Sequence, residues 1–194
     1  MATNTASSIT AKAKAGPRER LLETASRLFY AEGINSVGID RILAESGVAK
    51  GSLYSTYGSK DGLIQAYLDS RRDRQARRIT DAIAKVDDPK QKVLAVFDAQ
   101  GQLFASRGFR GCAFVAASAE APRGGTVDVA TTAYRDWQRE TFRALAEELG
   151  VEDPAMLARQ LHLLYDGATL SMRLDRDPSV AADARAAAAA LIGA

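Results

Sequence analysis

Residues 36–57 read SVGIDRILAESGVAKGSLYSTY, and this stretch decides the fold. Two short amphipathic segments flank a break at residues 45–48. A tight turn between two helices needs a residue that accepts a positive φ angle, and Gly47 supplies it. Val48 provides the apolar side chain that fills the gap between the two helices. The stretch therefore predicts a helix-turn-helix.

The two short helices are predicted to differ in what they expose. Ile39, Ile42 and Leu43 give the first an inward apolar face, and Leu53 with parts of Tyr54 and Tyr57 does so for the second. The outward face of the second helix holds Lys50, Ser52, Ser55 and Thr56. Small hydroxyl groups and one ammonium group fit the major groove of DNA without a steric barrier. Lys60 follows at the start of the next predicted helix, where a lysine can contact a phosphate of the DNA backbone.

An alternative interpretation treats residues 36–57 as an ordinary helical hairpin within a core. Under that interpretation the four polar side chains would have no reason to share one face. Their clustering favours the DNA-reading interpretation.

The stretch from Arg20 to Leu68 resembles the N-terminal DNA-binding region of the TetR family of repressors. The resemblance is carried by Leu28-Phe29, Gly33, Ile42, Ser46-Gly47-Val48, Lys50-Gly51-Ser52-Leu53-Tyr54 and Tyr57-Gly58-Ser59-Lys60-Asp61-Gly62-Leu63. The sequence departs from the family pattern at Gly38, where Ser or Thr is usual, and at Tyr57, where Phe is usual. Ser55 and Thr56 are smaller than the residues that the family often has there, which affects the operator sequence rather than the DNA-binding role.

The resemblance implies a DNA-binding transcriptional regulator that is not an enzyme and has no cofactor. It implies a homodimer on a palindromic operator, released when a small-molecule effector shifts the helix predicted at 59–85. The residues expected to contact DNA are Gly38, Arg41, Ala49, Lys50, Gly51, Ser52, Tyr54, Ser55, Thr56, Tyr57 and Lys60.

Outside the motif the sequence predicts an all-α fold. Nine helices are expected near 17–32, 38–45, 49–56, 59–85, 89–106, 112–120, 126–149, 154–174 and 178–192. Three Asp-Pro pairs, at 88–89, 153–154 and 177–178, each place a side-chain acceptor at the N-cap and proline at the first helical position. The predicted organisation is a disordered arm at 1–16, a DNA-binding domain at 17–62, and an effector-binding and dimerisation domain at 63–194.

Aromatic residues concentrate in the middle helices, where a cavity for an effector is expected. The candidate effector-binding residues are Phe97, Gln100, Phe104, Phe114, Tyr134, Trp137, His162, Tyr165 and Asp166, with Phe142 and Arg173 as further candidates. Most aromatics at helical spacing are core, so only part of this set is expected to touch a ligand. His162 is more simply a satisfied buried histidine, and Cys112 a small buried side chain rather than an oxidant sensor.

The last two helices are expected to form the dimer interface that the resemblance implies. The candidate residues are Leu157, Leu161, Leu164, Ala168, Ala184, Ala188 and Leu191. Leu163 and Leu170 indicate that the first of the two helices is buried on more than one side. The alternative is that these residues belong to the ordinary core of a single chain.

Other functional classes find little support in the composition. The 194 residues carry a net charge of +2 and contain one Cys and one His, so a zinc site of the usual Cys/His type is excluded. We find no phosphate-binding loop and no nucleophile elbow. A helical module that binds only protein would explain the amphipathic helices but not the polar recognition face. Without a secretion signal or an apolar run long enough to span a membrane, the chain is expected in the cytoplasm.

Overall fold

The computed structural model describes residues 16–193, and all regular secondary structure in that range is helical. The nine helices of this range are α1 (Pro17–Glu32), α2 (Ile39–Ser46), α3 (Lys50–Tyr57), α4 (Lys60–Ile83), α5 (Pro89–Phe104), α6 (Ala113–Glu120), α7 (Thr126–Glu148), α8 (Pro154–Asp175) and α9 (Val180–Leu191). The all-α prediction is confirmed. The arm predicted at 1–16 lies outside the described residues except for Gly16.

Capping side chains explain where several helices begin. Asp88 accepts a hydrogen bond from the backbone N–H of Gln91, and Asp153 accepts one from Met156, both at 2.8 Å. The third Asp-Pro pair behaves differently, because Asp177 accepts from the N–H of Ser179 and helix α9 begins only at Val180. The start predicted at 178 is therefore two residues too early.

The chain divides into two compact units. The first comprises the described residues up to Ser70 together with Ala116–Ala130, and the second comprises Arg71–Val115 and the described residues from Thr131 onward. The division after Ser70 lies eight residues beyond the boundary predicted at 62/63, and both positions fall within the continuous helix α4. No sequence pattern indicated that residues 116–130 belong with the helix-turn-helix.

The first unit is built around side chains from its four N-terminal helical segments. Its fully buried residues include Leu21, Leu28, Ile42, Leu53 and Leu63. The rings of Phe29 and Tyr67 lie 5.6 Å apart. This core fixes α2 and α3 against α1.

The second unit packs α9 against α5 and α8. Its core includes Val93, Phe97, Phe142, Leu161, Tyr165 and Ala188. An ion pair between Arg185 and Asp98, at 2.7 Å, joins α9 to α5 at the surface. Small alanines on the inner face of α9 allow the close approach of these helices.

Candidate functional site

The turn between α2 and α3 has the geometry that the sequence predicts. Gly47 adopts the left-handed conformation with φ 64° and ψ 30°, and its N–H donates to the carbonyl of Leu43 at 3.0 Å. Val48 is buried, with 7% of its surface exposed. Both expectations for this turn are confirmed.

Two inward contacts hold α3 in place. Leu53 is fully buried, and the hydroxyl of Tyr57 donates to the backbone carbonyl of Arg18 in α1 at 2.8 Å. Tyr54 was expected to face partly inward, but 43% of its surface is exposed. The short helix is thus anchored on one side, and Tyr54 joins its outward face.

The outward face of α3 carries one cation and several neutral hydroxyl groups. Lys50, Ser55 and Thr56 are exposed, and Ser52 is half-buried. The hydroxyl of Ser55 donates to the carbonyl of Ser52 at 3.2 Å, so its lone pairs remain available as acceptors. The Lys50 Nζ atom lies 3.9 Å from a carboxylate oxygen of Asp40. Such an exposed pair is weak and does not prevent Lys50 from meeting a phosphate.

The backbone at the ends of these helices is also accessible. Gly38 and Ala49 are the N-caps of α2 and α3, and both are exposed, as is Gly51. Lys60 is half-buried at the first position of α4. Behind it, the Ser59 hydroxyl accepts from the N–H of Gly62 at 3.0 Å. A Cβ on Gly62 would lie 2.0 Å from the carbonyl oxygen of Tyr57, so only glycine fits there.

Arg41 is engaged differently from the other predicted DNA contacts. Its guanidinium donates to Glu32 at 2.8 Å and to Glu45 at 2.9 Å, and Glu45 also binds Arg27. The hydrogen bond from Arg41 lowers the pKa of Glu32, and the hydrogen bonds from Arg27 and then Arg41 lower that of Glu45. This network joins α1 to α2, and it gives Arg41 a structural role that the sequence did not indicate.

The predicted effector residues fall into separate groups in the second unit. The rings of Phe97, Phe142 and Tyr165 have centroids about 6 Å apart, at 6.2, 6.1 and 5.8 Å. Phe114 stacks on Tyr134 at 4.0 Å with an interplanar angle of 3°, and Trp137 lies 5.9 Å from Tyr134. Phe104 instead packs on Phe109, and Arg173 donates to the carbonyl of Arg110.

Polar side chains are buried among the aromatic residues. The Gln100 amide donates to the carbonyl of Tyr165 at 2.7 Å and to the Thr169 hydroxyl at 2.9 Å. Arg135 donates to Asp166 at 2.9 Å, and the Nε2 atom of His162 lies 3.5 Å from the same carboxylate oxygen. Burial lowers the pKa of His162, so its neutral form is favoured.

Cys112 precedes α6 and is the one cysteine of the chain. Burial raises the pKa of its thiol, although hydrogen bonds from the backbone of Val115 and Phe114 act in the opposite direction. The protonated thiol is the unreactive form. The surroundings of Cys112 therefore favour its interpretation as a packed side chain.

Two surface cavities stand out in the described part of the chain. One, of about 330 Å³, is lined by Ser118, Ala121, Pro122, Arg123, Val127 and Asp128. The other, of about 370 Å³, is a groove between α4 and α5 lined by Arg78, Asp81, Ala82, Lys85, Val86, Ala95, Asp98, Ala99 and Gln102. Neither is lined by a residue that the sequence assigned to the effector.

Most of the residues predicted for dimerisation are already buried within the single chain. Leu157, Leu161, Ala168, Ala184 and Ala188 have at most 7% of their surface exposed, and Leu164 is partly buried. Only Leu191, at 43%, is well exposed. Leu163 and Leu170, expected to be buried, are instead 70% and 53% exposed. The apolar surface open to a partner is therefore a different face of α8 from the one predicted.

Residues 16–193 contain neither a membrane-spanning helix nor a cluster of metal-binding side chains. None of the helices there combines the length and apolar character needed to cross a bilayer. Among the same residues, no three His, Cys, Asp or Glu side chains come together as a metal site would require.

The comparisons with known proteins agree with the geometry of the first unit. Residues 21–67 match the family model described as bacterial regulatory proteins, tetR family. The crystal structure of a TetR-family transcriptional regulator from Streptomyces coelicolor is similar over 91% of this chain and 94% of its own, with 38% sequence identity and a TM-score of 0.86.

Curated relatives give the same indication over different lengths. The HTH-type transcriptional regulator LmrA of Bacillus subtilis is 33% identical over 79 residues, which is 40% of this chain and 42% of the relative. The HTH-type transcriptional regulator YjdC of Escherichia coli is 25% identical over 167 residues, covering 82% of this chain and 84% of the relative. The similarity to LmrA thus spans less than half of that protein.

Proposed function

Since this chain belongs to the TetR family of bacterial regulatory proteins, we propose that it is a dimeric repressor, released from a palindromic operator by a small molecule. Membership makes the chain a DNA-binding transcriptional regulator rather than an enzyme. We propose in addition that the protein represses transcription, that its operator is palindromic and that a small molecule releases it.

The observation that carries the proposal is the exposed face of α3. Tyr54, Ser55 and Thr56 present hydroxyl groups, Lys50 presents an ammonium group, and the buried Leu53 holds the helix from the opposite side. Hydroxyl groups both donate and accept, so they can read base edges in the major groove. Lys50 and Lys60 supply contacts to phosphates, while Gly38, Ala49 and Gly51 let the backbone approach the DNA.

A second copy of the chain is the partner that we propose for the exposed face of α8. Met156, Leu163, Leu170 and Leu174 have between 49% and 70% of their surface exposed, and their spacing of seven, seven and four residues puts them on one stripe. Apart from the neighbouring backbone of α8 itself, no atom of the described residues lies within 4 Å of a Cβ built on Gly167, which leaves space for a close helix contact. An apolar row of this kind marks an interaction surface.

A dimer with two-fold symmetry binds an operator whose two half-sites are related by the same symmetry. Two recognition helices read successive major grooves when they lie about 34–36 Å apart, one turn of B-DNA. An isologous contact of two α8 stripes would give a dimer with one recognition helix on each copy. The operator is accordingly proposed to be a palindrome with one half-site for each copy.

Release requires a ligand that distinguishes two arrangements of the protein. A ligand shifts the equilibrium only as far as its affinities for the two arrangements differ. The aromatic residues of the second unit, with Gln100 and His162 buried among them, are the proposed site of such a ligand. Binding there would act on the recognition helix α3 through the continuous helix α4.

Selection of bound sequences from random duplexes, followed by footprinting at low and high salt, tests this function. We expect a selected palindrome to keep a defined footprint as the salt concentration rises, while binding to a scrambled duplex disappears, because charge attraction alone is screened. In a purified transcription reaction, the protein should reduce transcript from a promoter that overlaps the palindrome. Equal binding to both duplexes at both salt concentrations would contradict the proposal.

A further inference from the structure

Within the part of the chain that the structure describes, three buried polar atoms of the second unit lack a hydrogen-bond partner. They are the Oε1 atoms of Gln100 and Gln138 and the Nε2 atom of His162. The three residues are only 1%, 3% and 4% exposed. Leaving a polar atom buried without a partner is costly, and proteins rarely do so without a functional reason. Three such atoms in one unit therefore require an explanation.

The three atoms belong to neighbouring helices that share one aromatic cluster. The ring of Phe142, one turn after Gln138 on α7, has its centroid 6.2 Å from that of His162 and 5.8 Å from that of Tyr165. The amide nitrogen of Gln100 binds the backbone carbonyl of Tyr165. Helices α5 and α8 thus bring Gln100 and His162 to the same cluster, and on α7 Gln138 precedes a member of that cluster, Phe142, by one helical turn.

The chemistry of the three buried atoms defines which ligand groups they can bind. An amide oxygen only accepts hydrogen bonds, so the oxygens of Gln100 and Gln138 both require a donor. His162 is held in its neutral form by burial, against the attraction of Asp166 and with the repulsion of Arg135 and Arg139. The Nε2 atom of His162 faces a carboxylate oxygen of Asp166 at 3.5 Å, which favours the neutral tautomer protonated at Nε2, so this atom is a donor that a ligand hydroxyl can accept from. A ligand that carries hydroxyl or N–H groups satisfies this set.

The charges around the cluster favour a neutral ligand. Asp166 is already paired with Arg135 at 2.9 Å, so its carboxylate is not left to balance a cation. A buried charge without a counter-charge is strongly disfavoured. An anion would in addition face the oxygen atoms of two amides. A neutral molecule avoids both penalties.

The shape of the nearby side chains favours a flat molecule. Phe114 and Tyr134 are stacked face to face, and Trp137 lies beside Tyr134. Aromatic rings gain energy from offset-stacked and edge-to-face contacts with other rings. The aromatic character of the cluster therefore suits an aromatic ligand better than a branched aliphatic one.

A polar path leads from the surface to this cluster. Arg78 lines the groove of about 370 Å³ between α4 and α5, and it donates to the side-chain oxygen of Gln75 at 2.8 Å. The amide of Gln75 in turn donates to the hydroxyl of the buried Tyr165. A donor-bearing ligand that enters from the groove can replace these hydrogen bonds one by one.

We propose that the effector is a neutral aromatic molecule with a hydrogen-bond donor, bound by Gln100, Gln138 and His162 and admitted through the groove between α4 and α5. This inference rests on the proposed function, because it names the class of molecule that releases the operator. It also assigns a role to Gln138, which the sequence had not marked.

Isothermal titration calorimetry on the full chain, with four naphthalene derivatives, tests the proposal. Naphthol is neutral with a donor, methoxynaphthalene has no donor, naphthoate is an anion, and naphthylmethylammonium is a cation. We expect naphthol to bind about tenfold more tightly than the other three, since each of them lacks a donor or carries a charge that the site does not balance. Equal binding of naphthol and methoxynaphthalene, tighter binding of either charged probe, or no binding of any probe would overturn the proposal.

The variant Gln138→Leu gives a second and independent test. Removing an amide whose oxygen is buried without a partner should leave the melting temperature of the free protein unchanged or higher, while the preference for naphthol over methoxynaphthalene falls to about two-fold or less. Gln91→Leu, at an exposed position of α5, is the matched control and should keep the wild-type preference. A Gln138→Leu protein that keeps the full preference would contradict the assignment.

The same samples distinguish failure of this inference from failure of the proposed function. Each protein is also titrated with the selected operator duplex, with and without naphthol. Operator binding that naphthol does not weaken would overturn the ligand class and leave the DNA-binding function standing. Absence of specific operator binding would overturn the proposed function itself.

Discussion

Glu120, the last residue of α6, is bound at both its side chain and its backbone by Asn35. The N–H of Asn35 donates to the Glu120 carboxylate at 2.8 Å, and the Asn35 side-chain amide donates to the Glu120 carbonyl at 2.7 Å. Gly33 completes the contact, because a Cβ there would lie 2.3 Å from a Glu120 carboxylate oxygen and the φ angle is +94°. The end of α6 is thereby fixed to the loop that precedes the helix-turn-helix.

The variant Glu120→Ala should therefore destabilise the first unit. A hydrogen bond to a charged acceptor contributes about 1.5–3 kcal/mol, and partial exposure places the expected loss of unfolding free energy near the lower figure. Urea denaturation of Glu120→Ala and of the exposed control Glu23→Ala gives the comparison. A loss no larger than that of the control would show that the contact is not stabilising.

The sequence predicted the parts of this fold that local chemistry determines. Gly47, Asp88 and Asp153 act through neighbours within a few residues, so their turn and caps can be derived from the sequence alone. The contact between Asn35 and Glu120 joins residues 85 positions apart, and no periodic pattern signals it. Arg41 illustrates the same limit, because its two carboxylate partners become evident only when α1 and α2 are packed together.

The faces of α8 show why the dimer surface was harder to predict. Leucines at 157, 161, 163, 164 and 170 make this helix apolar on several sides, so periodicity alone does not tell which side meets the protomer core. In the structure Leu157 and Leu161 pack inward while Leu163 and Leu170 face outward. The sequence alone favours the inward set for the dimer, because those residues fall near one face of the helix at helical spacing.

A charge at the exposed apolar stripe should separate the proposed dimer. Leu163, at 70% exposure, is the most exposed residue of that stripe, so Leu163→Asp is expected to fold normally but to remain a monomer. Sedimentation velocity should show a dimer for the wild type and for the control Val129→Asp, whose site on α7 is 65% exposed. A dimeric Leu163→Asp protein would place the interface elsewhere.

The single histidine should make stability depend on pH. The pKa of His162 is lowered in the folded protein, so between that value and the ordinary value of 6.5 the unfolded chain binds more protons. The free energy of unfolding is therefore expected to be level above about pH 7 and to decrease as the pH falls through 6.5. Urea denaturation over this range should show the decrease in the wild type and lose it in His162→Phe. An identical pH profile for both proteins would exclude His162 as its cause.

Cys112 is expected to react slowly in the folded protein. Burial raises the pKa of its thiol, which keeps the nucleophilic thiolate scarce at neutral pH. A chromogenic disulfide reagent should therefore label the native chain far more slowly than the urea-unfolded chain, and Cys112→Ala should bind DNA equally well with or without peroxide. Rapid native labelling, coupled to peroxide-dependent loss of DNA binding in the wild type alone, would make Cys112 a redox sensor instead.

The affinity of the double variant Lys50→Ala/Tyr54→Ala for the selected operator tests the central claim most directly. Fluorescence anisotropy with the wild type, the double variant and the exposed-lysine control Lys85→Ala provides the measurement, and circular dichroism verifies that all three are folded. We predict that the double variant loses about tenfold or more in affinity while Lys85→Ala keeps that of the wild type. A folded double variant that binds the operator as tightly as the wild type would contradict the assignment of α3 as the DNA-reading helix.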